Sequence, residues 1–292
     1  MYELALLLVT AAALPQDPQP PPPKDLSPRI QLEGLAARVD AAHQPQGRVP
    51  PVTAFKSQLE LHVLDTEASQ RGQVDLEVQF LDWLKPGSTT PRALIRYKVL
   101  EAGTPISRGR DRNGPWQLFQ GEPRDLYGAE FTADLAACEK HTNLARQLVR
   151  FLDPGAVLRS LEQPTAVRTE ELRINRNTSV ECETVEGRLA AFPLLQQGGE
   201  DAAVSLKVFV KKADARLLTV EATPLVDGKP DTARLERVNL LDLHEVSGLL
   251  VPRCIEHLFG GDDGHLRPQS RCVLKTLTLR PEFTAEDFDR TK

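Results

Sequence analysis

Near the C-terminus, Cys254, His257, His265 and Cys272 are the residue types that bind zinc. Thiolate and imidazole ligands set tetrahedrally would make a structural site. However, Cys254 and His257 fall in an alternating apolar run, and residues three apart on a strand project from opposite faces. No CxxC accompanies them, so neither a metal nor a cofactor is expected. Cys138 and His141 sit on neighbouring positions of a helical stretch, yet two ligands do not complete a site, and a buried thiol beside a solvated imidazole is the reading. Asp242 and His244 share one face of a strand and could trade a proton. No nucleophile at a strained turn accompanies them, which leaves a surface ion pair. Glu181 and Glu183 also share a face, and without burial they mark the wet side of a sheet rather than a carboxylate dyad. No GxSxG, HExxH, Walker loop or GxGxxG occurs, so no catalytic residue is assigned and enzymatic activity is not expected. Asn177-Thr178-Ser179 fits a glycosylation acceptor, relevant only on a eukaryotic secretory route.

The elements that carry these residues follow from the period of the apolar positions. Ile30, Leu32, Leu35 and Val39 recur at near-helical spacing behind Ser27 as N-cap and Pro28 at the first helical position. After Pro50-Pro51 the period becomes two: Phe55, Leu59, Leu61 and Val63, then Val74, Leu76, Val78 and Phe80, then Ala93, Ile95, Tyr97 and Val99. Such one-sided strands belong to an antiparallel sheet with one wet face. A hairpin turning at Asn113-Gly114 follows. From Phe131 to Leu152 the period is helical again, with Asp153-Pro154-Gly155 as its stop and a brief helix from Ala156 to Leu161. Strands then resume around 166–173, 179–187, 203–211, 215–223, 233–246, 249–259 and 271–280. Turn signals separate them at Asn175 to Asn177, Gly198-Gly199, Asp227-Gly228 and Gly260 to Gly264. The layout is a mainly β, α+β chain of about eleven antiparallel strands and two or three helices. The absence of 10- to 15-residue helices alternating with strands argues against a doubly wound parallel sheet.

One strand carries an oddity: LLDLHEVSGLLVPRCIEHLF has Pro252 inside a run that otherwise reads as β. With Ser247-Gly248 as a two-residue turn, Val246 pairs Leu249, and Leu243 with Pro252 becomes a non-hydrogen-bonded couple. The missing donor then faces away from the hairpin partner. A Cys272 directly opposite Cys254 would stand too far off for a disulfide unless a bulge or shifted register intervened.

The chain has 292 residues, 40% of them hydrophobic, enough to bury a core. A net charge of -5, with acids and bases interspersed, and an aromatic content of only 5% leave no basic stripe and few stacking platforms, so nucleic acid is not an expected partner. The apolar run from Leu4 to Leu14, ending near Ala11-Ala12-Ala13, resembles a secretory leader, which predicts an exported protein. It is too short to span a bilayer, which takes about twenty residues. Seven prolines between Pro15 and Pro28 form a polyproline II spacer. The expected organisation is a signal peptide over 1–14, a linker over 15–28, and one domain over 29–292 with a helical insert near 129–161.

The run LKVFVKKADARLLTVEATPLVDGKPDTARLERVNLLDLHEVSGLLVPRCIEHL, the closing LTLRPEFTAEDF, and the earlier QVDLEVQF, ALIRYKVL and PWQLF resemble the LolA/LolB/RseB-like lipoprotein-carrier superfamily. The resemblance covers nearly the whole chain from about residue 26. It implies an unclosed, curved antiparallel β half-barrel covered by helices, in a periplasmic protein that binds a lipid or the acyl chains of a lipoprotein, or senses them. By themselves, Phe55, Leu59, Leu61, Leu76, Val78, Phe80, Ile95, Tyr97 and Val99 read as core packed against helices. The resemblance makes them, with Leu135 and Leu148 of the insert, the candidate lining of an apolar cavity. It also implies as partners a lipid or acylated protein and a membrane-associated delivery or acceptor protein. A structural or interaction module with a self-filled core is the alternative.

Overall fold

The computed structural model describes residues 27–64, 71–87, 92–101, 104–175, 178–196, 201–261 and 265–290. The leader, most of the proline-rich linker, Asn177, and the Gly198-Gly199 turn lie outside these residues, as does part of the Gly260 to Gly264 turn.

Helix α1, Pro28–His43, begins where expected: the Ser27 hydroxyl accepts from the backbone N–H of Ile30 and Pro28 fills the first turn. Strands β1 (Ala54–Leu64), β2 (Arg71–Trp83), β3 (Arg92–Glu101), β4 (Thr104–Arg110), β5 (Pro115–Phe119) and β6 (Glu122–Asp125) form an antiparallel meander. Then come α2 (Thr132–Leu152) and α3 (Pro154–Arg159). Asp153-Pro154-Gly155 is the start of α3 as well as the stop of α2. The Asp153 carboxylate caps the Ala156 N–H, and Pro154 takes the first helical position, where a missing N–H costs nothing.

The second meander comprises β7 (Arg168–Asn175), β8 (Thr178–Phe192), β9 (Ala202–Lys211), β10 (Leu217–Val226), β11 (Lys229–Pro230), β12 (Glu236–Val246), β13 (Leu249–Gly260) and β14 (Leu266–Leu279). The path of neighbours runs β6-β5-β4-β3-β2-β1-β14-β13-β12-β10-β9-β8-β7, with β11 paired on β10. The two meanders join through β1 and β14, and β6 and β7 are left as ends, so the sheet is unclosed. Fourteen strands stand where about eleven were expected. The difference includes β6 and β11, four and two residues long, too short to show a period.

Alternation holds as predicted in β1, where Phe55, Leu59 and Leu61 are buried while Lys56 and Gln58 are exposed. Register carries the inner face across: Phe55 opposes Phe80, Leu59 opposes Leu76, and Val78 opposes Tyr97. These residues, their counterparts in β8 to β14, and one side of each helix form a single apolar cluster. The Ser247-Gly248 turn has positive φ at both positions, 51° and 80°, as a two-residue hairpin turn requires. Leu243 opposes Pro252 as derived, and the pairing of β13 with β14 covers only Cys254 to Gly260, so the proline lies where β14 no longer pairs.

Candidate functional site

The structure brings the eleven apolar candidates into one cluster, nine on the inner face of the sheet and Leu135 and Leu148 on α2. Phe55, Phe80, Ile95 and Tyr97 are fully buried, and Leu59, Leu61, Leu76, Val78, Val99 and Leu148 are at most 4% exposed. Leu135 is half-buried and packs against the same cluster. These side chains fill the face under the helices. A cleft of about 410 Å³ touches Leu59, Leu76 and Val99, but its other walls include Gln58, Asp75, Glu77, Lys98 and Lys275 on the outer, wet side. A second cleft, about 870 Å³, lies between the end of α1, residues 44–51 and α3, walled by Asp40, Gln44, Arg48, Asp153, Arg159 and Ser160.

Within the apolar face lies a group of polar residues that the sequence reading missed. Glu236, Val238 and Leu240 share one strand parity, so Glu236 points inward with its apolar neighbours. His257 directly opposes Ser270, and Val238 opposes His257, so Glu236 and His257 are diagonal neighbours on the inner face. Lys140, Asn143 and Gln147 recur at i, i+3 and i+7 along one side of α2, which lowers Gln147 onto them. The Gln147 amide nitrogen donates to Glu236 Oε1 at 2.7 Å and to the Pro193 carbonyl at 2.6 Å. His257 Nε2 meets Gln147 Oε1 at 2.9 Å, and the Ser270 hydroxyl lies 3.4 Å from His257 Nδ1. Glu236 Oε2 accepts from the Leu195 N–H at 2.8 Å, and Asn143 donates to the Leu194 carbonyl at 2.9 Å. Burial raises the Glu236 carboxyl to about 7, against the pull of these donors and of Lys140. Burial lowers His257 to about 3, helped by Lys140. The inward parity of Glu236 was the sequence signal for this network.

The other candidates are dispersed. His257 belongs to this network, while Cys254 is half-buried on the other face of β13, so the proposed zinc ligands do not converge. The described residues contain no group of three metal-ligating side chains. Cys254 opposes Val273 and Cys272 opposes Ile255: the register is one residue away from direct opposition, and Cys272 lies on the inner face with Ile255. That slip, rather than Cβ spacing alone, separates the two sulfurs. His141 corrects an expectation, since it is half-buried rather than freely solvated. Its ring packs edge-on against Tyr97 with centroids 4.7 Å apart, and burial lowers its pKa to about 3. Asp242 is exposed at φ 55° and His244 is half-buried. Glu181 and Glu183 correct another expectation: they share the parity of Val185 and Leu189, the face the helices cover, so they do not mark the wet side. Glu183 pairs with Arg38 of α1 at 2.7 Å and Glu181 with Lys212 at 2.7 Å.

All four cysteines are free. Burial pushes Cys138 and Cys182 up to about 11 and Cys272 to about 12, and the Cys138 thiol donates to the Gly109 carbonyl at 3.4 Å. A thiol reagent should therefore modify Cys254 first in native protein and find four thiols after denaturation without reductant. Fewer than four in the denatured chain would contradict this arrangement.

No family model and no curated protein matches the chain. Among solved structures, a DUF1329 family protein from Desulfovibrio piger aligns over 91% of this chain and 99% of its own, at 11% identity and a TM-score of 0.51. A LolA superfamily protein from Nitrosomonas europaea aligns over 89% and 98%, at 12% identity and a TM-score of 0.40. A putative outer membrane lipoprotein-sorting protein domain from Vibrio parahaemolyticus aligns over 90% and 98%, at 10% identity and a TM-score of 0.43. The TM-score of 0.51 shows that this chain shares its overall fold with the Desulfovibrio protein, a fold that here is an unclosed antiparallel sheet with helices packed on its apolar face.

Proposed function

We propose that this protein is an exported, non-enzymatic carrier or sensor that holds a lipid, or the acyl chains of a lipoprotein, between the inner face of the sheet and α2. The observation that carries the reading is the gathering of Phe55, Leu59, Leu61, Leu76, Val78, Phe80, Ile95, Tyr97 and Val99 on one face of a sheet that does not close, in one apolar cluster with Leu135 and Leu148 of α2. In the closed form these side chains satisfy one another. An acyl chain replaces α2 as their partner when the helix lifts, gaining about 0.8 kcal/mol for each CH₂ withdrawn from water. The leader-like N-terminus supports export, and none of the described helices is long and apolar enough to cross a membrane. A membrane-associated protein would deliver or accept the lipid.

Native mass spectrometry of protein purified from membrane-containing cells, with lipid extraction, should find bound lipid, and the purified protein should take up a fluorescent fatty acid. Consistently empty protein that takes up none would sink this reading. The near-complete burial of ten of the eleven residues favours a second reading in that event, an interaction module whose core is filled by its own side chains.

A further inference from the structure

The inner face of a self-filled core would be expected to be apolar throughout, yet under the middle of α2 it is polar. Gln147, Glu236 and His257 are fully buried, and Ser270 and Asn143 nearly so. A seam of this kind holds a helix by directed hydrogen bonds that water can replace on release, whereas an apolar seam has no such substitute. Beyond it toward the C-terminus of α2, Leu148, Phe151 and Leu152 are buried, while in the first turn Thr132 and Ala133 are exposed.

The directions of the bonds are fixed by the backbone. Since the Pro193 carbonyl and Glu236 Oε1 both face the Gln147 side-chain nitrogen, Gln147 Oε1 must be the atom facing His257. His257 therefore donates from Nε2, and its Nδ1 accepts from the Ser270 hydroxyl. Glu236, Gln147, His257 and Ser270 form one chain joining α2 to β12, β13 and β14.

We propose that Gln147 latches α2 onto the sheet, that acid releases this latch, and that Glu236 tempers the release by taking up the proton His257 loses on closing. The inference rests on the reading of α2 as a cover that lifts. The groups facing the latch are Lys140 from α2, Glu236 from β12 and His257 from β13, with the neutral Ser270 from β14 and the Leu195 N–H from the segment after β8. His141 of α2, near Arg108 and Lys140 and against Tyr97 of β3, leaves its site with the same helix. Further along, Asp82 faces Arg146, Arg150 and Asp201.

Lifted into water, Glu236 returns towards 4.5 and the two imidazoles towards 6.5. Between those limits the open form carries a carboxylate and two imidazolium ions, and the closed form a neutral acid and two neutral rings. On closing, the His257 N–H bond of the imidazolium breaks, and a proton adds to the Glu236 carboxylate through solvent. The second proton, from His141, goes to bulk water. Opening thus takes up one net proton and is favoured by acid.

Hydrogen exchange on the full chain, corrected for intrinsic rates, tests this by comparing α2 amides over 138–152 with β13 amides over 251–257. In wild type, α2 should exchange through an opening that leaves β13 protected, with an opening constant that rises about tenfold per unit fall between pH 6 and 5. In E236Q the compensation is gone and the rise should be about a hundredfold; in H257Q it should fall as much below the wild-type slope, to about none. Identical slopes in wild type and E236Q would overturn the role of Glu236. Exchange of α2 only together with β13 in wild type would overturn the latch, whatever the variants do. Fatty-acid uptake by such a protein would leave the carrier reading standing. A latch that opens as described in a protein that takes up no lipid would sink the carrier reading alone.

Discussion

Phe80→Ala should lower the unfolding free energy by about 3–5 kcal/mol, the range for truncating a fully buried aromatic residue. Phe80 is 0% exposed on β2, flanked by β1 and β3, and its ring stacks on Phe55 with centroids 5.3 Å apart. Part of the loss, about 0.5–1.5 kcal/mol, belongs to that ring pair and disappears with either partner. Urea titration at constant slope reads the change as a shift in midpoint. Leu135→Ala, at a half-buried position on α2, should cost less. If Phe80→Ala cost under about 1 kcal/mol, the face would not be closed over in solution, contrary to the packing described. In the carrier reading a saturating fatty acid should restore part of the loss, because it binds only the folded protein and occupies the space the ring vacates.

Acidification from pH 6.5 towards 4.5 should destabilise the protein by about 2.7 kcal/mol per pH unit at the steepest part. Three imidazoles are held neutral in the fold. His43 falls to about 4, and His141 and His257 to about 3, each chiefly through burial. His43 Nε2 accepts from the Leu217 N–H at 2.9 Å, so protonating that nitrogen destroys the bond. With folded pKa values depressed, the unfolded chain binds more protons below 6.5, and the stability present above 6.5 is lost as the pH falls. Glu236 acts in the opposite sense: its pKa is raised to about 7, so between 7 and 4.5 the folded state holds the extra proton. Three protons against one leave two net, each worth about 1.4 kcal/mol per pH unit. A domain of ordinary stability, about 5–15 kcal/mol, would lose a large part of its margin by pH 5. Urea titrations at pH 7, 6 and 5 measure it; stability that is flat or rising over that interval would contradict the neutral burial of these rings.

Much of the architecture was legible because it rests on local chemistry. Period-two runs placed β1, β2 and β3 and most later strands; Ser27 and Pro28 placed the start of α1; and Ser247-Gly248 fixed the register that sets Leu243 opposite Pro252. The inward parity of the nine strand candidates followed from the same alternation. The weakest points were those where one residue serves two elements or an element is too short to have a period. Asp153-Pro154 both stops α2 and starts α3, and β11 has two residues.

The sequence by itself determined which faces are apolar and where most of the chain turns, since side-chain alternation and turn stereochemistry are properties of neighbouring residues. Only the tertiary structure decided what those faces meet. The join of β1 to β14 brings together residues more than two hundred positions apart, and the one-residue offset between β13 and β14 separates Cys254 from Cys272. The seating of α2 turns His141 from a solvated ring into a half-buried one packed on Tyr97 and places Gln147 between Glu236 and His257. Burial and hydrogen-bond partnership depend on which distant element arrives overhead, and no local period encodes that.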